Sequence, residues 1–274
     1  MSGDTALGAA IAFAIAQVTT PAGVSGAVLL LPVQISILNV PSPGVTPTNL
    51  LYNVIATPGG LWRYWRTGAL SGPLARTLLA GTLPGVVVGA VIRVEFLSGP
   101  KAFLVVIACV LLPLGSWLAT IGAREPAASR ADRARVSEHA IFALALVVGV
   151  VGGIYGIGGG SILSPLLLSL GYSVFDVAGA ALAATFLTSV AGILTYQLLQ
   201  LHQGGTIAPE WTLGLAMGAG GLAGGYLGAR LQPRMPEAFI RRSLGLIVIA
   251  VAARYLYRGD WEPLGRGWPM AAAA

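Results

Sequence analysis

Apolar residues in this chain run in long uncharged stretches, and most charges fall between those stretches rather than alternating with apolar positions. A bilayer's hydrocarbon core is about 30 Å thick and takes roughly 20 helical residues. By that measure Thr77 to Ile92, Ala102 to Ala123, Val177 to Leu201 and Trp211 to Ala229 each predict one crossing helix. Ser243 to Ala253 predicts another, extended by Arg241, Arg242 and Arg254 reaching to the interface along their aliphatic stems. Two stretches are too long for one crossing. Thr5 to Trp62 and Ala140 to Phe175 would make helices of about 87 Å and about 54 Å at 1.5 Å per residue, so each must bend or break inside the membrane.

Glycine and proline mark the breaks. In the later stretch Gly152, Gly153, Gly156, Gly158, Gly159 and Gly160 interrupt the helix, and Ser161 to Leu170 resumes it around Pro165. In the earlier one Pro21, Gly23 and Gly26 do so, and Ala27 to Leu38 follows around Pro32. The resumed pieces, about ten residues each, are too short to span and predict half-helices. Irregular backbone survives at membrane depth only where protein or a water-filled cavity satisfies its N–H and C=O groups, so a cavity is expected beside the breaks.

The two breaks belong to an internal repeat. Gly23, Gly26 and Pro32 fall on Gly156, Gly159 and Pro165 at an offset of 133. Gly85, Gly89, Pro100, Ala102 and Phe103 fall on Gly221, Gly225, Pro236, Ala238 and Phe239 at an offset of 136, which one small insertion explains. The domains are then a first membrane repeat (1–121), a polar linker (122–139), a second membrane repeat (140–258) and a C-terminal tail (259–274). The fold class is an all-α integral membrane protein of two tandem repeats, each a re-entrant broken element plus three transmembrane helices.

Charge placement predicts that the repeats are inverted. Cytoplasmic loops collect Lys and Arg. In the first repeat Arg63, Arg66 and Arg76 enrich the loop after the second element, and Arg93 and Lys101 in the next loop are offset by Glu95. In the second repeat the poor and rich loops exchange places: His202 to Glu210 has no Lys or Arg, while Arg230, Arg234, Arg241 and Arg242 follow the next span.

Composition agrees with a membrane setting. Charged residues make up 9% of the 274, against about 25% in soluble domains. The net charge of +6 comes from thinly spread basic residues without an aromatic-basic cluster of the kind a nucleic-acid binder needs, which excludes nucleic acid as a partner. The single Cys109 reads as packing. Ala6 to Ala16 has the length of a signal-peptide core, but Asp4 and no basic residue precede it, so it reads as retained. His139 and His202 are the only histidines and both end spans, so no metal or hydrolase centre forms and no cofactor is expected. Gly156-x-Gly158 lacks the Gly-Lys-Ser/Thr of a phosphate loop, and the chain reads as a non-enzyme.

Inverted repeats with discontinuous helices place a substrate site where the half-helices meet. A half-helix opening at Gly158, Gly159, Gly160 and Ser161 directs free N–H groups and about half a positive charge into the cavity. Ser25 and Gly26 do the same from the first repeat, so an anion can be held without a buried Lys or Arg in the central spans. Side chains that complete the site are Thr46, Thr48, Asn49 and Asn53 in the first repeat and Thr185, Thr188 and Ser189 in the second. Thr48 and Thr185 are read as corresponding positions, 137 apart. The rival role for these groups is to bond neighbouring helices. Asp176 and Glu210 sit near span ends and read as interfacial caps, with a proton-coupling role open for Asp176.

The run Gly156-Ile-Gly-Gly-Gly-Ser-Ile-Leu-Ser-Pro165, followed by Ala183-Ala-Thr-Phe-Leu-Thr-Ser189, resembles the TauE/SafE family of sulfite exporters, also called the toluene-sulfonate uptake permease family. Val45-Thr-Pro-Thr-Asn-Leu-Leu-Tyr-Asn53 is similar to the equivalent first-repeat segment, and Gly23-Val-Ser-Gly-Ala27 departs from the family pattern by placing Ser25 where glycine is usual. The resemblance implies a multi-pass inner-membrane transporter of sulfite, sulfonates or related organosulfur anions. The expected function is secondary export of a small sulfur oxyanion by alternating access; a carrier or channel for a divalent metal or neutral osmolyte is the alternative. The expected partners are that anion and the bilayer, and assembly into a homo-oligomer is compatible with the sequence.

Overall fold

The computed structural model describes residues 3–41, 44–66, 72–97, 137–170, 172, 174–203 and 207–234. The spans expected at 102–123 and 243–253, Cys109, the Pro-x-Ala-Phe pair of the repeat and most of the linker lie outside these residues. Every regular element among those described is helical. They are α1 (Gly3–Thr19), α2 (Ala27–Ser36), α3 (Val45–Arg66), α4 (Pro73–Glu95), α5 (Glu138–Tyr155), α6 (Gly160–Ser169), α7 (Val174–Gln203) and α8 (Trp211–Leu231).

Local chemistry sets the helix ends. Ser137 caps α5 by accepting the Ala140 N–H at 3.2 Å, and Pro73 opens α4 where its missing N–H costs nothing. Stretches within α4, α5 and α7 are long and apolar enough to cross a membrane. α3 has 22 residues and ends in Trp62, Trp65 and Arg66, with the Arg66 guanidinium 5.9 Å from the Trp62 ring centroid. An exposed aromatic-basic cluster of this kind suits the lipid headgroup layer.

Both broken elements end alike. After a short 3₁₀ turn (Thr20–Ala22), Gly23 adopts φ 71°, and Gly156 closes α5 at φ 76°. An L side chain is strained in that left-handed region, and each glycine's N–H still returns to a carbonyl of the preceding turn, Thr20 O at 2.9 Å and Gly152 O at 2.8 Å. The break expected to begin at Gly152 begins at Gly156 instead. Gly152 and Gly153 are helical and lie against the Gly158 backbone and Val86 of α4. The half-helices match their expected extents closely: Ala27–Ser36 against 27–38, and Gly160–Ser169 against 161–170.

Small residues bring the long helices into backbone contact. Along α4, Gly81, Gly85 and Gly89 lie on the carbonyls of Phe142, Leu146 and Val150 in α5. Along α8, Gly220, Gly224 and Gly228 lie on those of Ala9, Phe13 and Gln17 in α1. Both series advance together, so each pair is parallel and packs without intervening side chains. α3 runs parallel to α8, with Leu51 on Gly214 and Ile55 on Gly218. α3 and α7 are antiparallel, because Gly60 meets Leu182 while Leu50 meets Gly192. Thus α1, α3 and α8 run one way and α4, α5 and α7 the other.

These contacts also relate helices of the two halves of the chain at fixed offsets. The Tyr64 hydroxyl donates to Thr20 O at 3.4 Å, and the Tyr196 hydroxyl to Gly153 O at 2.9 Å. Together with the Gly60–Leu182 and Gly192–Leu50 contacts, they relate α3 to α7 at an offset of 132. The glycine ladders relate α4 to α8 at 139, where sequence matching suggests 136. Asn53 therefore corresponds to Thr185 and Thr57 to Ser189, whereas Thr48 corresponds to Ala180.

The α4–α5 contact yields a stability prediction. A Cβ on Gly89 would overlap the Val150 carbonyl, a backbone group that moves only if the helices separate. Gly89→Ala is expected to cost about 1–3 kcal/mol, seen as a lower melting temperature in detergent, whereas Gly3→Ala, where a Cβ meets no described atom, does not lower it.

Candidate functional site

The two breaks meet at the middle of the bundle. Residues 50, 53, 57, 60 and 64 form one stripe of α3, and residues 182, 185, 189 and 192 one stripe of α7. The antiparallel register sets Asn53 level with Ser189 and Thr57 level with Thr185. Larger and small apolar groups hold the ends of this seam, and its centre is polar and buried.

The broken segments attach to that centre and to each other. The Ser25 N–H donates to Ser161 Oγ at 3.1 Å, so the openings of α2 and α6 touch directly. Ser25 Oγ donates to Asn53 Oδ1, and Asn53 Nδ2 donates to Gly156 O at 3.4 Å. One side chain thereby binds both breaks. Ser161 Oγ donates in turn to Ile157 O at 3.1 Å. Gly159 presents its N–H to Thr188 Oγ1 at 3.2 Å, and that hydroxyl donates to Ala184 O at 2.6 Å.

Other expected site residues have different positions. Asn49 ties down α2, donating to Ala27 O and accepting from Gln34 Nε2, each at 2.9 Å. Thr48 lies away from the breaks: it donates to Gly44 O at 2.7 Å and accepts the Glu210 N–H at 2.9 Å ahead of α8. Gly160 is a packing residue whose Cβ would overlap the Ala181 carbonyl and lie 2.7 Å from Thr185 Oγ1. The hydroxyls of Thr185 and Ser189 are fully buried and meet no hydrogen-bond partner among the described residues. Such groups are costly in a dry interior.

Beside the first break lies a cavity of about 10 Å³, room for one water. Thr20, Ser25, Gly26, Tyr52, Thr57 and Gly221 give it its character, and Ala56, Gly60 and Leu182 complete the wall. Thr20, Tyr52, Thr57 and Gly221 were not among the expected site residues. Thr57 could have been found by continuing the Asn49, Asn53 spacing one turn further. Tyr52 stands next to Asn53 but in isolation reads as an interfacial aromatic.

Arg93 is also misplaced by the loop reading. It occupies the last turn of α4 and is fully buried, with Nε 3.3 Å from Thr46 Oγ1 and a second bond to Leu97 O. The Thr46 hydroxyl donates to Ile154 O at 3.4 Å, just before the second break. The absence of a basic side chain from the central spans therefore does not hold. The Asp176 side chain lies outside the described residues.

Apolar spans, two interrupted helices and a polar contact between them define a multi-pass helical membrane protein. The family model described as Sulfite exporter TauE/SafE matches residues 8–255, and the chain belongs to that family, whose curated relatives carry membrane-transporter names. A probable membrane transporter protein of Xylella fastidiosa is 26% identical over 88% of this chain and 90% of its own length. The probable membrane transporter protein YunE of Bacillus subtilis is 31% identical over 43% of this chain, a stretch that spans 41% of that relative. Sulfite exporter TauE/SafE family protein 2 of Arabidopsis thaliana is 36% identical over 27% of this chain and 16% of its own length. No solved structure matches.

Asn53→Ala strips the Ser25 hydroxyl and Gly156 carbonyl of a shared partner. It is expected to lower stability by about 1–3 kcal/mol in denaturant titrations of the purified protein in detergent.

Proposed function

We propose that this transporter exports a small sulfur oxyanion, sulfite or an organosulfonate, across the inner membrane. The anion sits near the bilayer midplane between the openings of α2 and α6. Exposure alternates as one of two inverted repeats rocks against the other. The observation that carries this reading is the Ser25 N–H to Ser161 Oγ contact, which joins the two half-helix openings. Its depth supports a central site: Asn53 and Thr57 flank the middle of α3, and Gly221 is the middle residue of α8.

The helix directions support inversion. α1, α3 and α8 oppose their counterparts α5, α7 and α4. For the chain to leave α1 and enter α3 running the same way, each broken element must dip inward and return. The site's chemistry supports an anion, because the cavity lining carries hydroxyls and a helix N-terminus and, among the described residues, no carboxylate. A membrane potential negative inside favours anion efflux by about 2.3 kcal/mol per charge per 100 mV, so export needs no coupling ion.

The direct test is counterflow in proteoliposomes preloaded with sulfite, taurine or nickel. Accumulation of labelled sulfite well above protein-free vesicles is expected, with no exchange of nickel. Exchange of nickel without sulfite or taurine would overturn the anion reading, whereas exchange of taurine without sulfite would assign the substrate to the organosulfonates.

A further inference from the structure

Resting on the anion-transport reading, we propose that the two half-helix openings contribute unequally, and that the anion lying between them is held by the first, on Gly26, Tyr52 and Thr20. The glycine-rich second copy is sealed by its own side chains and serves as scaffold.

The repeat register permits a position-by-position comparison. Gly26 opens α2 and Gly159 precedes α6, at the offset of 133. In the second copy the Gly159 N–H is taken by Thr188 Oγ1 at 3.2 Å. The residue corresponding to Thr188 is Ala56, which has no hydroxyl to offer, and the Gly26 N–H meets no acceptor among the described residues. Both openings carry a side-chain cap, Thr188 Oγ1 on the Gly159 N–H and Ser25 Oγ on the Ala27 N–H at 3.2 Å, but the first leaves the Gly26 N–H as a free donor at its positive end.

The space around the two openings differs in the same sense. The Thr82 side chain lies on Gly159, so that a Cβ there would collide with Thr82 Cγ2 and Cβ. The counterpart of Thr82 in α8 is Gly221, and its missing side chain leaves room for the Tyr52 ring. Ala184 is the counterpart of Tyr52. The second copy is therefore filled by Thr82 and Thr188, while the first carries a phenol and the cavity.

A second observation, independent of the helix end, points to a ligand. Tyr52 is 1% exposed, and its hydroxyl lies 2.5 Å from where a Cβ on Gly26 would stand. It meets no hydrogen-bond partner among the described residues, and Tyr52 lines the cavity. Thr20 lines it too, with a hydroxyl that has no partner among those residues. An anion there receives the Gly26 N–H, the Tyr52 O–H and the Thr20 O–H, three donors without a fixed counter-charge. That set suits one compact oxyanion head. The present cavity of about 10 Å³ admits little more than a water, so loading requires α8 to draw back from Tyr52.

The test uses the full-length purified protein and sulfite as probe, with affinity from calorimetric titration in detergent and transport from sulfite counterflow. Tyr52→Phe removes one donor, and Ala56→Thr copies the second copy's cap onto Gly26. Each is expected to weaken sulfite binding at least tenfold with an unchanged melting temperature; should Ala56→Thr fold poorly, Tyr52→Phe alone decides. Thr188→Val, which removes the cap but keeps its bulk, is expected to keep sulfite affinity within twofold of wild type. Any other pattern, in a wild type that binds sulfite, overturns the one-sided site and leaves anion transport standing. If the folded wild type neither binds nor exchanges sulfite, the sulfite-transport reading fails, and the proposed site with it.

Discussion

Two interrupted helices inside a bilayer impose the constraint on which this structure depends: every N–H and C=O freed by a break must find a partner away from lipid. The chain meets it by placing both breaks against the crossing of α3 and α7, where the seam is polar. Asn53 is central because its amide is bifunctional, with Oδ1 accepting from Ser25 and Nδ2 donating to Gly156. A hydroxyl at that position could not span both breaks with the same certainty of role. Thr185, its counterpart in α7, has a buried oxygen without such a partner, so the seam is not chemically symmetric.

The glycine ladders serve that crossing indirectly. By drawing α4 onto α5 and α8 onto α1 at backbone distance, they leave α3 and α7 at the centre with the half-helices. Each ladder joins the last described long helix of one half to the first helix of the other, so neither half packs as a separate bundle. Dispersion between closely fitted backbones is the main attraction available where lipid tails are as apolar as the side chains. Where glycine also makes room for a bulky side chain, the buried Tyr52 ring fits against Gly26 and Gly221.

Much of this was legible in the sequence. Charge spacing gave α4, α7 and α8 to within a few residues, and glycine with proline located both breaks, because φ near +70° at Gly23 and Gly156 leaves a sequence trace. The register between the two halves of the chain was not legible. The offset is 133 across the breaks, 132 between α3 and α7, and 139 between α4 and α8. Glycines recurring every three or four residues match equally well at several offsets, and only contacts choose among them. Pairing Thr48 with Thr185 followed from that ambiguity. Arg93 was misread for another reason: hydropathy treats a cation near a span end as interfacial, and burial in the last turn of α4 depends on Thr46 and on Leu97 O, which composition does not reveal.

The same register exposes a further asymmetry with mechanical meaning. The carbonyl two residues before each break glycine is held by the end of a long helix from the opposite half. On one side Gln232, just beyond α8, donates to Pro21 O at 2.8 Å. On the other, Arg93 acts through the Thr46 hydroxyl on Ile154 O. Gln232 lies 139 residues beyond Arg93, in the register of the ladders, so the two ties are equivalent in place and unequal in chemistry. One is a neutral amide bonded directly; the other is a cation working through a hydroxyl, with a second bond to Leu97 O that anchors it at the end of its own helix. A motion that parts one half from the other must strain both ties. The amide can be replaced by a single water, whereas freeing the guanidinium requires hydrating a charge, so the two ties differ in the cost of breaking them.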